Sequence, residues 1–159
     1  MTVAQSTTWL RLASLLALAV GLVAAFASAD ATDGLWLWLF DLLEWPIDDN
    51  PGAFTDPSFA LNAVLGGVMV GWATLMYFVT TRQFEKGNAE LAAPMMVSIL
   101  VWFVVDSTGS VVAGLPGNVI LNTGFLAVFL PPLISLRRSH PTSPCSGHHR
   151  PGQNPHPTQ

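Results

Sequence analysis

Residues 94–136 read PMMVSILVWFVVDSTGSVVAGLPGNVILNTGFLAVFLPPLISL. The stretch breaks once, at Gly114-Leu115-Pro116-Gly117, into apolar runs over residues 94–115 and 117–136. Each is close to the ~20 residues with which an α-helix crosses ~30 Å of hydrocarbon. Neither shows the strict two-residue alternation of a membrane barrel strand, and a helix satisfies its own backbone hydrogen bonds where lipid cannot. So short a connection makes the two helices antiparallel neighbours.

Two similar runs precede them: LASLLALAVGLVAAFASA, residues 12–29, and SFALNAVLGGVMVGWATLMYFVTT, residues 58–81. Across all four, the one charged side chain is Asp106. The chain of 159 residues is 51% hydrophobic and 10% charged, far below the ~25% charged residues of soluble domains. The expected fold is therefore an all-α integral membrane protein, a four-transmembrane-helix bundle occupying residues 1–136. The first run also has the features of a cleavable signal peptide, namely Arg11, an apolar core and the small residues Ala27-Ser28-Ala29. Retention as a helix is the expectation, and either outcome leaves the same topology.

Charge sets the orientation. The six basic residues, Arg11, Arg82, Lys86, Arg137, Arg138 and Arg150, all fall on the N-terminal side, in the second connection or in the tail. With four crossings these share one face, which the positive-inside rule makes cytoplasmic. Residues 30–57 hold seven carboxylates and no basic residue, so they are expected outside. Ala- and Gly-rich helices with one lysine suggest a bacterial inner membrane. A net charge of −4 argues against nucleic acid as a partner.

Within the outer connection, GLWLWLFDLLEW, residues 34–45, is very apolar but too short to span. Asp33 can cap it and Pro46 stops it. The pattern predicts an amphipathic helix in the outer interface, its tryptophans at headgroup depth. Trp36, Trp38, Asp41, Glu44 and Trp45 form a candidate surface for a membrane or extracytoplasmic protein partner. The following DDNPGAFTDP, residues 48–57, lacks the Gly at position six and the acid at position twelve of an EF-hand loop, and reads as a solvated turn. The tail, residues 137–159, has no Leu, Ile, Val or Phe and five prolines, a composition that cannot bury a core, and it is expected to be disordered and cytoplasmic. Its Cys145, His148 and His149 have no frame to fix metal geometry.

Polar groups inside the runs are the candidate site. Asp106 stands 12 residues after Pro94, roughly 18 Å along a helix rising 1.5 Å per residue, and so near mid-bilayer. Ser110 lies one turn further on the same face, Ser107 and Thr108 beside it, and Asn118 and Asn122 are spaced i, i+4 on the next helix. Asp106, Ser107, Ser110, Asn118 and Asn122 can therefore converge, with Asn62 as a further wall. No cation in the spans can pair with the carboxylate, whose burial costs several kcal/mol; it must be protonated, held by neutral donors, or open to water. Gly67-x-x-x-Gly71, beside Gly66, lets a neighbouring helix approach and leaves a homo-oligomer possible. Pro131-Pro132 should kink or break the fourth helix. Trp72 and Trp102 read as packing residues.

Missing residues exclude much. No His stands in a span, which argues against axial haem ligation and di-iron sites. The single lysine, Lys86, lies in a loop, and the single cysteine, Cys145, in the tail. P-loop, HExxH and GxSxG motifs are absent. No cofactor, no metal and no enzymatic reaction is expected. The first functional expectation is an accessory or interaction subunit in the lipid bilayer. The second is a proton- or cation-coupled small-molecule transporter or ligand-binding protein built on Asp106, a parallel with small exporters at the level of fold only.

Overall fold

The computed structural model describes residues 1–44, 46–49 and 52–139. Their regular structure is all helical: α1 Val3–Phe26, α2 Gly34–Glu44, α3 Asp56–Val79 continued by a π-helical turn Thr80–Phe84, α4 Ala92–Val112 and α5 Gly117–Ser139. α1, α3 with its π turn, α4 and α5 are each long and apolar enough to cross a membrane, which points to a membrane location. Their outward faces agree in character. Val97, Val101, Val104 and Val105 on α4, and Leu12 and Leu16 on α1, are all exposed. In water such a surface would be a large unpaired apolar patch.

α1 begins nine residues before the expected residue 12 because a capping box closes its first turn. The Gln5 amide donates to Thr2 Oγ1 at 3.2 Å, and the Thr2 amide donates to Gln5 Oε1 at 2.8 Å. The helix packs against α3 on one side and α5 on the other, while α5 packs against α4. Contact between α1 and α3 is backbone-close at Gly66, where an added Cβ would lie 2.2 Å from the Ala25 nitrogen. Gly67 and Gly71, expected to make such an approach, have open space instead. Adjacent helix positions point some 100° apart, and the neighbouring helix meets only the face that Gly66 occupies.

The double proline does not end α5, which runs on to Ser139. Pro132 has no N–H to give the carbonyl of Val128, four residues earlier. The Trp9 indole Nε1 donates to that carbonyl at 2.9 Å, so α1 supplies the bond that α5 lacks. The main core then fills the same region, with Leu10, Ala13 and Ala17 of α1 against Ala73, Met76, Phe129, Leu133 and Leu136.

α4 ends in a Schellman motif. Gly114 sits at φ +83°, its amide donates to the Val111 carbonyl at 3.2 Å, and the Leu115 amide donates to the Ser110 carbonyl at 2.8 Å. That left-handed residue turns the chain tightly into α5. Near this turn, α2 lies across the ends of α1 and α5. Gly117 is its seat, since a Cβ there would lie 2.0 Å from the Leu43 carbonyl oxygen. α3 and α4 stand further apart than the paired helices, and side chains fill between them: Trp72 stacks on Trp102 with centroids 6.1 Å apart.

Candidate functional site

The tight α4–α5 turn sets two i, i+4 polar pairs face to face. Asn118 Nδ2 donates to Asp106 Oδ2 at 3.0 Å and to Ser110 Oγ at 2.8 Å. Asn122 Nδ2 donates to the same Asp106 Oδ2 at 2.6 Å and to Ser107 Oγ at 3.2 Å. Ser110 Oγ in turn donates to the Asp106 carbonyl at 2.8 Å. Asp106, Ser107, Ser110, Asn118 and Asn122 thus form one network along a single helix–helix seam. Asn122 and Ser107 are buried, while Asp106, Ser110 and Asn118 are half-buried.

The bonding of the carboxylate is lopsided. Both amides converge on Oδ2, and no donor among the described residues reaches Oδ1. Oδ1 is not sealed in either, since it is absent from the buried polar atoms that lack a partner. Asp106, Asn118 and Asn122 are the polar wall of a hollow of about 150 Å³. α3 and α4 contribute Trp72 and Trp102, α5 contributes Phe125 and Leu121, and α2 roofs it with Trp36, Leu39, Phe40 and Leu43. A cavity with one polar wall and remaining walls of aromatic and aliphatic side chains has the general make-up of a small-molecule site. Trp72 and Trp102 do pack, as the sequence suggests, but they also border this space. Nothing in the sequence announces the roof, because it comes from a helix 63 to 86 residues away from the network.

Asn62 joins a different set of partners. Its Nδ2 donates to the Ala27 carbonyl at 3.0 Å, and its Oδ1 accepts the Trp36 indole Nε1 at 3.1 Å. It is therefore a pin between α1, α2 and α3 and not a wall of the Asp106 network. The signal was available in part, since a buried indole N–H needs an acceptor and Asn62 is the amide of its run. Trp36 is consequently turned inward and buried, packing on Phe40 at 5.9 Å. Asp41 is buried as well, its Oδ1 accepting the Asp48 amide at 3.0 Å and holding the loop after α2. Of the candidate partner surface, Trp38 and Glu44 are exposed. Trp45 lies outside the described residues, as do the tail's Cys145, His148 and His149.

The basic groups are remote from the hollow. Arg11 pairs with Glu85 near the opposite end of α1, and no Lys, Arg or His borders the hollow. Among the described residues no three His, Cys, Asp or Glu side chains are grouped to hold a metal ion. No protein-family model matches the chain, and no curated protein or solved structure matches it.

Proposed function

We propose that this chain is a bundle of four membrane-spanning helices that binds a small, mainly apolar molecule in the hollow beneath α2, through the free oxygen of Asp106. The orientation we propose places the N-terminus, the second connection and the tail in the cytoplasm, with residues 30–57 and α2 outside a bacterial inner membrane. Asp106 is then the polar anchor of a site facing the outer half of the bilayer. The observation that supports this reading is Asp106, its Oδ1 without a donor among the described residues, in the wall of a mainly apolar hollow. Oδ1 is not sealed in and meets no donor of the described residues, so it is available to a donor brought by a bound molecule. If the bound molecule is carried across, Asp106 is the group that would couple its passage to a proton or cation.

The test is binding to the full chain in lipid nanodiscs. Benzyl alcohol, benzylammonium and benzoate serve as probes, with empty nanodiscs as reference. At least one should bind saturably in the wild type and lose affinity in Leu121→Trp, which fills the hollow. Failure of every probe to bind, or binding that survives the filled hollow, would contradict the reading.

The second reading, an accessory or interaction subunit, draws support from Leu35, Trp38 and Leu42, apolar side chains of α2 that remain exposed. Leu35→Ala combined with Trp38→Ala should abolish co-purification of a membrane partner. Purification of the wild type as a bare monomer in mild detergent would count against it.

A further inference from the structure

Resting on that proposed site, we infer that its ligand is an organic monocation, a protonated amine carrying one small apolar or aromatic group. Three features of the hollow converge on this chemistry. Its single titratable lining residue is Asp106, and Oδ1 of that carboxylate is an acceptor with no donor among the described residues in reach. An ammonium N–H aimed at Oδ1 would make the missing bond, a charge-assisted one, and would balance a charge that no basic side chain in the hollow balances. Five aromatic side chains, Trp36, Phe40, Trp72, Trp102 and Phe125, border the same space. Their negative π faces attract a cation, and indole does so best.

The alternatives fit less well. An anion would meet the carboxylate and the π faces together. A neutral alcohol could donate to Oδ1 but would leave the charge in place. A hard metal ion seeks six or more oxygen ligands, and a lining mainly of aromatic and aliphatic side chains does not offer them. The size is also restrictive. A hollow of about 150 Å³ is the size that takes up one benzene ring, which selects amines with a single small ring or a short branched chain.

The experiment titrates benzylammonium, benzyl alcohol and benzoate separately onto the full chain in nanodiscs of uncharged lipid, read by calorimetry against empty nanodiscs. Benzylammonium should bind at least tenfold more tightly than benzyl alcohol, and benzoate more weakly than both. Asp106→Asn keeps an acceptor oxygen for the Asn118 and Asn122 amides and should erase the tenfold preference. Trp102→Leu keeps the carboxylate and should weaken the ammonium severalfold more than it weakens the alcohol; it serves also if the Asp106 variant does not fold. Alcohol binding as tight as ammonium binding, a preference that survives Asp106→Asn, or equal losses of both probes in Trp102→Leu would overturn the inference. Those outcomes leave the binding site standing, whereas no binding by any probe removes the site and the inference together.

Discussion

Asp106 offers two oxygens, and the chain engages one of them twice. Each amide also bonds a serine, but Asn122 makes the shorter bond to the carboxylate and is buried, while Asn118 is half-buried. The two amides should therefore differ in weight. Asn122→Ala should lower stability by about 1–2 kcal/mol, the range for hydrogen bonds between membrane helices, and Asn118→Ala by less; unfolding in mixed micelles reads both. Equal effects would mean that burial does not set their strength. Asp106→Leu should cost more than Asp106→Asn in the same assay, because leucine strands both amide donors. Much of this network is readable from the chain alone, since i, i+4 spacing on either side of a Gly-Pro turn leaves few other places for the side chains to go. Asn62 was not readable in the same way. Its partners, Ala27 just past the end of α1 and Trp36 on α2, are distant in sequence, and no local spacing records them.

At the scale of the element, α5 illustrates how one helix completes another. The carbonyl of Val128 is orphaned by Pro132 and taken up by the Trp9 indole. Trp9→Phe should cost about 1 kcal/mol in the wild type but little beside Pro132→Ala, where a restored N–H reaches the same carbonyl. A double-mutant cycle measures the coupling, and strict additivity would rule out the compensation. The α1–α3 seam gives a second contrast. Gly66→Val should destabilise by about 1–3 kcal/mol through overpacking, because its Cβ meets the backbone of Ala25, whereas Gly67→Val meets open space. A comparable loss at both positions would contradict the seam. Length and apolarity locate all four long helices in the sequence, but not what happens at their ends. Hydropathy passes over the polar Thr2–Gln5 cap that starts α1, and proline propensity alone cannot foresee a donor arriving from another helix.

For the whole molecule, the spans follow from composition, while the hollow follows from assembly. α3 and α4 are held apart by stacked indoles, and α2 closes the space above them. Topology is open to a direct check in a background where Cys145 is replaced by Ser. Ala31→Cys should react with an impermeant thiol reagent on intact cells, and Lys86→Cys only after lysis; the reverse pattern would invert the orientation proposed from charge. The central claim, however, is that an intramembrane carboxylate is gripped through one oxygen by two amides of the facing helix. Rotational-echo NMR on the chain in lipid bilayers, with ¹³C-labelled aspartate and ¹⁵N-labelled asparagine, measures it most directly. The Asp106 carboxyl carbon, identified by its loss in Asp106→Asn, should be dephased by two asparagine side-chain nitrogens, each about 4 Å away for amide–carboxylate bonds of normal length. A carboxyl carbon with no asparagine nitrogen near it would contradict the claim, and with it the site beneath α2.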